Sequence, residues 1–272
     1  MWTPHEVEAN GLTIHYLRTG GANKPALVLA HGSTDNGNCW GRVASALADR
    51  YDVIAPDARG HGRSSAPDGD YSNVAMATDL AALIGALGLD RPFVGGHSMG
   101  ANTALTLVAH WPEIARAAIL EDPVFRLEPP APPESNPWRD RLIASHAKWQ
   151  VQTHAEVVAA GRAGSPRWHE DEFEAWADAK KHVNAAYVHA TGSSVPFDWR
   201  ALLAKVRVPT LLVTSDSAPV DNGIVSPEAA EVARGLCPTL EVARLPGAGH
   251  NIRREQFGPF VTAVAAFLDR HA

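Results

Sequence analysis

The chain has 272 residues, of which 45% are hydrophobic and 20% charged, and its formal net charge is −6. This balance suits a globular protein and excludes a disordered one, which needs fewer apolar residues and more net charge. The acidic total, without a Lys/Arg run, argues against a nucleic-acid partner, and no stretch approaches the roughly 18 apolar residues of a membrane span.

The opening segment, Met1 to His15, lacks a basic stretch followed by an apolar one, so a cytoplasmic protein is expected. Val7–Ala9 and Leu12–Arg18 read as strands joined by Asn10-Gly11, a strong hairpin signal. Pro25 to Ala30 is a short continuous apolar run, the mark of a buried strand, and ends at His31-Gly32. A helix over Cys39 to Ala48 and a strand over Asp52 to Ala55 follow, then a Gly-rich loop from Asp57 to Ser64. Met76, Leu80, Leu83, Ile84 and Leu87 share a helical face, which Gly88 ends. Phe93–Gly96 reads as a strand, Met99–His110 as a helix and Ala115–Leu120 as a strand, a βα rhythm that implies a largely parallel sheet.

After Asp122 the rhythm breaks. The proline-rich stretch 124–137 forbids regular structure, and two helical patterns follow without strands, over Arg139–Gly161 and Asp171–Tyr187. The second carries Phe173, Trp176, Lys180, Asn184 and Tyr187 along one side. Strand and helix signals resume at Val208–Thr214, at Ser226-Pro227 (an N-cap followed by an N1 proline), at Leu240–Leu245 and in a last amphipathic helix through Leu268. Residues 1–123 and 201–272 are therefore expected to form one α/β core, with residues 124–200 inserted as a helical cap.

The chemistry is carried by Gly96-His97-Ser98-Met99-Gly100, a G-x-S-x-G sequence between a strand and a helix. A tight strand-to-helix turn would push the Ser98 hydroxyl into the cleft beside a helix N-terminus. Glycine is expected at 96 and 100 because a side chain there would strike backbone. A serine needs a base. His250, in the Gly-rich loop after the last strand, is the candidate among 13 histidines. The oxyanion donors are expected to be the backbone amides of Met99 and of Ser33, or else Thr34.

These pieces together, with Asp35-Asn-Gly37, Trp40, the Asp57–Ser64 loop and Gly247-Ala-Gly-His250, resemble the α/β-hydrolase superfamily in its cap-bearing branch over nearly the full length. The resemblance implies a mostly parallel central sheet flanked by helices, a serine esterase or lactonase and no metal or organic cofactor. It places the third triad member in one of two regions. One follows the strand ending near Thr214, where Asp216 or Asp221 would serve; the other is the Glu121-Asp122 pair. Asp216 is the nominal acid, with Asp122, Glu121 and Asp221 as alternatives.

The insertion and its edge hold Trp138, Trp149, Trp168, Trp176 and Trp199. Thr34, Trp149 and Trp176 are candidate pocket residues. The insertion's histidines show no zinc spacing, Cys39 and Cys237 read as reduced thiols, and Arg59 and His61 fit loop hydrogen bonds. The expected activity is hydrolysis of an ester or lactone in a small, largely apolar substrate, by a monomer or homodimer. A C–C hydrolase of a diketo acid, which needs a carboxylate-binding arginine such as Arg126, Arg139 or Arg162, and a non-catalytic ligand receptor are the alternatives.

Overall fold

The computed structural model describes residues 2–21, 23–128, 136–190, 197–215 and 223–272. Asn10 and Gly11, both at positive φ (52° and 72°), turn the chain between β1 (Thr3–Ala9) and β2 (Leu12–Arg18), as a two-residue hairpin requires. The remaining strands are β3 (Ala26–Ala30), β4 (Asp52–Pro56), β5 (Phe93–His97), β6 (Ala117–Glu121), β7 (Thr210–Ser215) and β8 (Leu240–Leu245). They form an eight-stranded sheet in the order β1-β2-β4-β3-β5-β6-β7-β8. The pairs β1/β2 and β2/β4 are antiparallel and all others are parallel. Every residue of β4, β5, β6 and β7 is buried, because helices cover both faces.

One face packs on α2 (Asn73–Ala86), α3 (Met99–His110) and α9 (Pro227–Leu236), through Leu80, Leu83, Leu105, Val108 and Ala230. The other packs on α1 (Gly41–Leu47) and the final helix α11 (Phe257–Arg270), through Val43, Leu47, Phe260, Val264 and Phe267. A 3-10 turn, Gly37–Trp40, precedes α1, and the short helix α10 (Ile252–Glu255) precedes α11. The result is an α/β fold of three layers.

Between β6 and β7 lie α4 (Pro137–Val151), α5 (His154–Gly164), α6 (Asp171–His182), α7 (Ala185–Ala190) and α8 (Trp199–Leu203). The single helix expected over 139–161 is two, because Thr153 and Glu156 form a reciprocal capping box that starts a new helix. The helix expected over 171–187 is likewise broken. There Asn184 accepts from the Ala186 amide (2.8 Å) and gives its own amide to the Gly60 carbonyl of the core (2.9 Å). Val157, Phe173 and Ala177 pack with Trp149, Trp168 and Trp176 into a small apolar cluster of the inserted helices. Trp199 returns to the main core, stacked on Phe125 at 4.5 Å. The proline run from Pro129 lies outside the described residues. Among the described residues no helix is long and apolar enough to cross a membrane.

Candidate active site

Ser98 follows the end of β5 and sits at φ 52°, ψ −113°, conformational strain that must be offset by the surrounding structure. Its amide donates to the Glu121 carbonyl (2.9 Å), and its carbonyl accepts from Asn102 in the first turn of α3. The two glycines are dictated by contact. A Cβ on Gly96 would lie 2.3 Å from the Gly100 carbonyl carbon, and one on Gly100 would lie 2.2 Å from the Ala30 carbonyl oxygen. Met99 opens α3, so its amide is among the orphan donors of a helix N-terminus.

His250 lies beyond β8, and its Nδ1 is 2.6 Å from Oδ2 of Asp122. Asp122 is fully buried at the exit of β6 and takes φ 41° there. Its carboxylate also accepts the amides of Ile224 (2.9 Å) and Val225 (3.0 Å). These donors satisfy a charge that would otherwise be costly inside. His97, next to Ser98, donates from Nε2 to the His250 carbonyl (2.8 Å) and packs its ring 4.5 Å from that of His250. The serine strand thus grips the histidine loop directly. His97 keeps its other nitrogen, Nδ1, without a partner among the described residues. That nitrogen carries the lone pair of a neutral ring, since burial, with Arg253 and His250 nearby, holds the pKa of His97 well below normal. Gly32 makes room for it: a Cβ there would be 2.6 Å from His97 Nδ1.

After β3, Gly32 to Asp35 forms a turn closed by the Asp35 amide on the Gly32 carbonyl (3.0 Å), with Thr34 at φ 64° in its third position. The Thr34 amide points at His61 Nε2 (3.4 Å), so this one of the two expected donors already has an acceptor. His61 donates from Nδ1 to the Arg59 carbonyl, and burial, then the nearby His31, lowers its pKa to about 3. His31 likewise donates to Gly32 O and accepts the Ala58 amide, tying the turn to the Gly-rich loop. That loop wraps the Asp57 carboxylate, which accepts from Gly37, Arg63 and His15. Arg59 forms a two-point pair with Asp79. Ser33 Oγ lies 2.7 Å from the hydroxyl of Tyr187, whose ring packs 4.2 Å from His61.

Behind this turn is a buried ionic cluster. Asp35 receives Lys180 of α6 (2.9 Å), Arg253 (3.2 Å) and Arg254 (3.1 Å). Arg253 also binds Glu121 through its backbone amide (2.8 Å) and Nη1 (3.2 Å), and Arg254 reaches Glu172 of α6 (3.2 Å). Burial alone would raise the Asp35 carboxyl, but Arg254, Lys180 and Arg253 outweigh it and hold it well below the usual range.

The residues singled out in sequence separate accordingly. Ser98 and Met99 follow β5, Asp122 pairs with His250, and Ser33 and Thr34 lie in the turn after β3, whose Gly32 abuts His97. Glu121 is turned to Arg253, because residues alternate across a strand and its side chain leaves on the opposite face. Asp216 and Asp221 lie outside the described residues. Trp149 and Trp176 pack among the inserted helices with Lys180, 5.7 and 5.0 Å from their ring centres. Among the arginines weighed as carboxylate binders, Arg162 pairs with Glu170 and Arg139 with the His189 carbonyl. The sequence gives no role to Lys180, Tyr187, Arg253 or Arg254, and Asp35 enters only within the Asp35-Asn-Gly37 stretch of the resemblance. The one available signal was Lys180 sharing a helix side with Phe173 and Trp176, an odd place for an ammonium group. Among the described residues no group of three or more His, Cys, Asp or Glu could hold a metal ion.

Residues 27–267 match the alpha/beta hydrolase family. The chain is 34% identical over 270 residues to N-formylmaleamate deformylase of Pseudomonas putida, covering 97% of this chain and 95% of the relative. It is 29% identical over 273 residues to 3-oxoadipate enol-lactonase 2 of Acinetobacter baylyi, covering 96% and 95%. The crystal structure of an N-formylmaleamic acid deformylase from Pseudomonas putida S16 superimposes with a TM-score of 0.81 at 28% identity, covering 96% of this chain and all of that one.

Proposed function

The chain belongs to the alpha/beta hydrolase family, and from that premise we propose that it is a serine hydrolase that cleaves a small acyl substrate through an acyl-enzyme. The observation that carries the reading is the 2.6 Å contact of Asp122 with His250 Nδ1, beside a strained Ser98. With Nδ1–H given to Asp122, His250 presents Nε2 as the base. Ser98 Oγ bonds to the substrate carbonyl carbon while its proton passes to Nε2. The amides of Met99 and Ser33 hold the oxyanion. As the tetrahedral intermediate collapses, the bond to the leaving group breaks and the proton passes from Nε2 to that group. Water, deprotonated by the same nitrogen, then releases the acid and restores Ser98. Residues 124–200 act as a cap over this cleft.

The scissile bond is an ester, a lactone or an N-acyl bond. The first two follow from the resemblance read in the sequence. The third is added because the 34% identical relative is a deformylase. The test is steady-state hydrolysis of a panel of small esters, lactones and N-formyl amides, with Ser98→Ala beside the native protein and a serine-reactive phosphonate as label. Multiple turnovers that vanish with Ser98→Ala, and labelling confined to Ser98, support the reading. Full turnover by folded Ser98→Ala overturns it, and a single burst without turnover favours a ligand receptor.

A further inference from the structure

The turn that carries the Ser33 amide is held in an unfavourable shape. Its third residue is Thr34 at φ 64°, a conformation that costs a β-branched side chain more than most. From within the core, His61 takes the Thr34 amide. From the inserted helices, Lys180 donates to the Thr34 carbonyl (2.9 Å) and to Asp35 Oδ1 (2.9 Å), the two residues directly after Ser33. Tyr187 adds a contact to Ser33 itself. Lys180 is only 4% exposed. Its ammonium is enclosed by Trp176 and Trp149, and burial lowers its pKa despite the Asp35 charge.

A buried lysine–aspartate pair contributes little stability that apolar residues could not match. Here its two bonds converge on the backbone and side chain of the oxyanion turn. Asp35 would keep two arginines without Lys180, but each of those also serves another acid, Glu121 or Glu172. The Thr34 carbonyl would lose the bond that Lys180 alone supplies in this constellation.

We propose that Lys180 is a positioning residue of the oxyanion hole: by bonding Thr34 O and Asp35 from α6, it holds the strained turn so that the Ser33 amide faces the developing charge. The inference rests on the serine-hydrolase reading above. It ties the oxyanion hole to the seating of the inserted helices on the core.

The experiment compares native protein with Lys180→Met and with the neutral pair Lys180→Met/Asp35→Asn, which removes both charges should the single change fail to fold. For each folded variant, kcat and KM on a hydrolysed ester, and affinity for a boronic acid that forms a tetrahedral adduct with Ser98, are measured. Deleting an oxyanion donor outright costs about 100- to 1,000-fold in kcat, so a displaced donor should cost about 10- to 30-fold. The expected result is that loss in kcat, a parallel loss of boronate affinity and a KM within about 3-fold of native. A merely structural lysine would change melting temperature without splitting kcat from KM. Unchanged kcat and boronate affinity in a folded variant, with Ser98 still labelled by the phosphonate, overturn this inference alone. If native protein is not labelled and Ser98→Ala hydrolyses as well as native, the serine reading fails and the inference falls with it.

Discussion

Asp122 and His250 are 128 residues apart in sequence and joined by a 2.6 Å hydrogen bond from ring nitrogen to carboxylate. The bond fixes the ring's tautomer, and two backbone amides fix the carboxylate. In the proposed mechanism, Asp122→Asn keeps the shape but presents an amide that can turn its N–H to the ring and favour the wrong tautomer. A fall in kcat of about 10,000-fold is expected, with an unchanged circular dichroism spectrum. Asp216→Asn is expected to stay within about 3-fold of native, since His250 Nδ1 already has its carboxylate; kinetics on both variants check the pair.

Gly100 allows α3 to approach the Ala30 carbonyl. In Gly100→Ala the new Cβ would meet that oxygen at 2.2 Å, and backbone cannot swing aside as a side chain does. Overpacking of this kind costs about 1–3 kcal/mol, or roughly 2–5 °C in melting temperature for a chain of this size, with loss of hydrolysis as the serine turn shifts. Gly85→Ala, in α2 with open space around the new Cβ, should instead raise stability slightly. Thermal melts of the two proteins test the contrast.

Three buried histidines should make stability begin to fall on the acid side of neutrality, ahead of the depressed carboxyls of Asp35 and Asp57. His61, His97 and His31 all have lowered pKa values, burial being the largest cause in each. The unfolded chain binds protons on them below about pH 6.5 while the folded protein does not, so stability is full above that pH and lost as pH falls. For His61 the loss continues down to about 3. Glu121, raised by its burial, acts in the opposite sense but is a single group. Denaturant midpoints should therefore begin to fall near pH 6, before carboxylates titrate. His61→Gln should flatten the slope by up to about 1.4 kcal/mol per pH unit. A midpoint flat from pH 7 to 5 would contradict this.

Cys39 is buried against the inserted helices, with its thiol pushed up to about 11 by burial and then by Asp35. Little thiolate exists at neutral pH, and thiolate is the reactive form. A thiol reagent such as a chromogenic disulfide should leave it unmodified in native protein and modify it on unfolding. Rapid modification of native protein at pH 7.5 would contradict the packing of α6 on the 3-10 turn.

Local signals were enough for much of the fold. Asn10-Gly11, the apolar runs of the inner strands and Ser226-Pro227 each act through neighbouring residues, and each element formed where its own chemistry placed it. Breaks inside the insertion were harder to see. The Thr153–Glu156 capping box was legible in principle, whereas the stop at Val183-Asn184 depends on a bond to Gly60, over 120 residues away.

By itself the sequence determined the parallel-sheet architecture and the strand–Ser98–helix turn, because periodicity and steric demands at Gly96 and Gly100 are short-range. It also put His250 in a loop after the last strand. Only the tertiary structure decided which carboxylate meets that histidine, since Asp122 and Glu121 are adjacent and differ only in the face toward which the backbone turns them. It alone showed that Lys180 enters the core, because burying an ammonium group depends on Asp35 and Thr34 arriving from the far end of the chain. Charge pairing inside a protein depends on distance in space, and a linear sequence does not carry that distance.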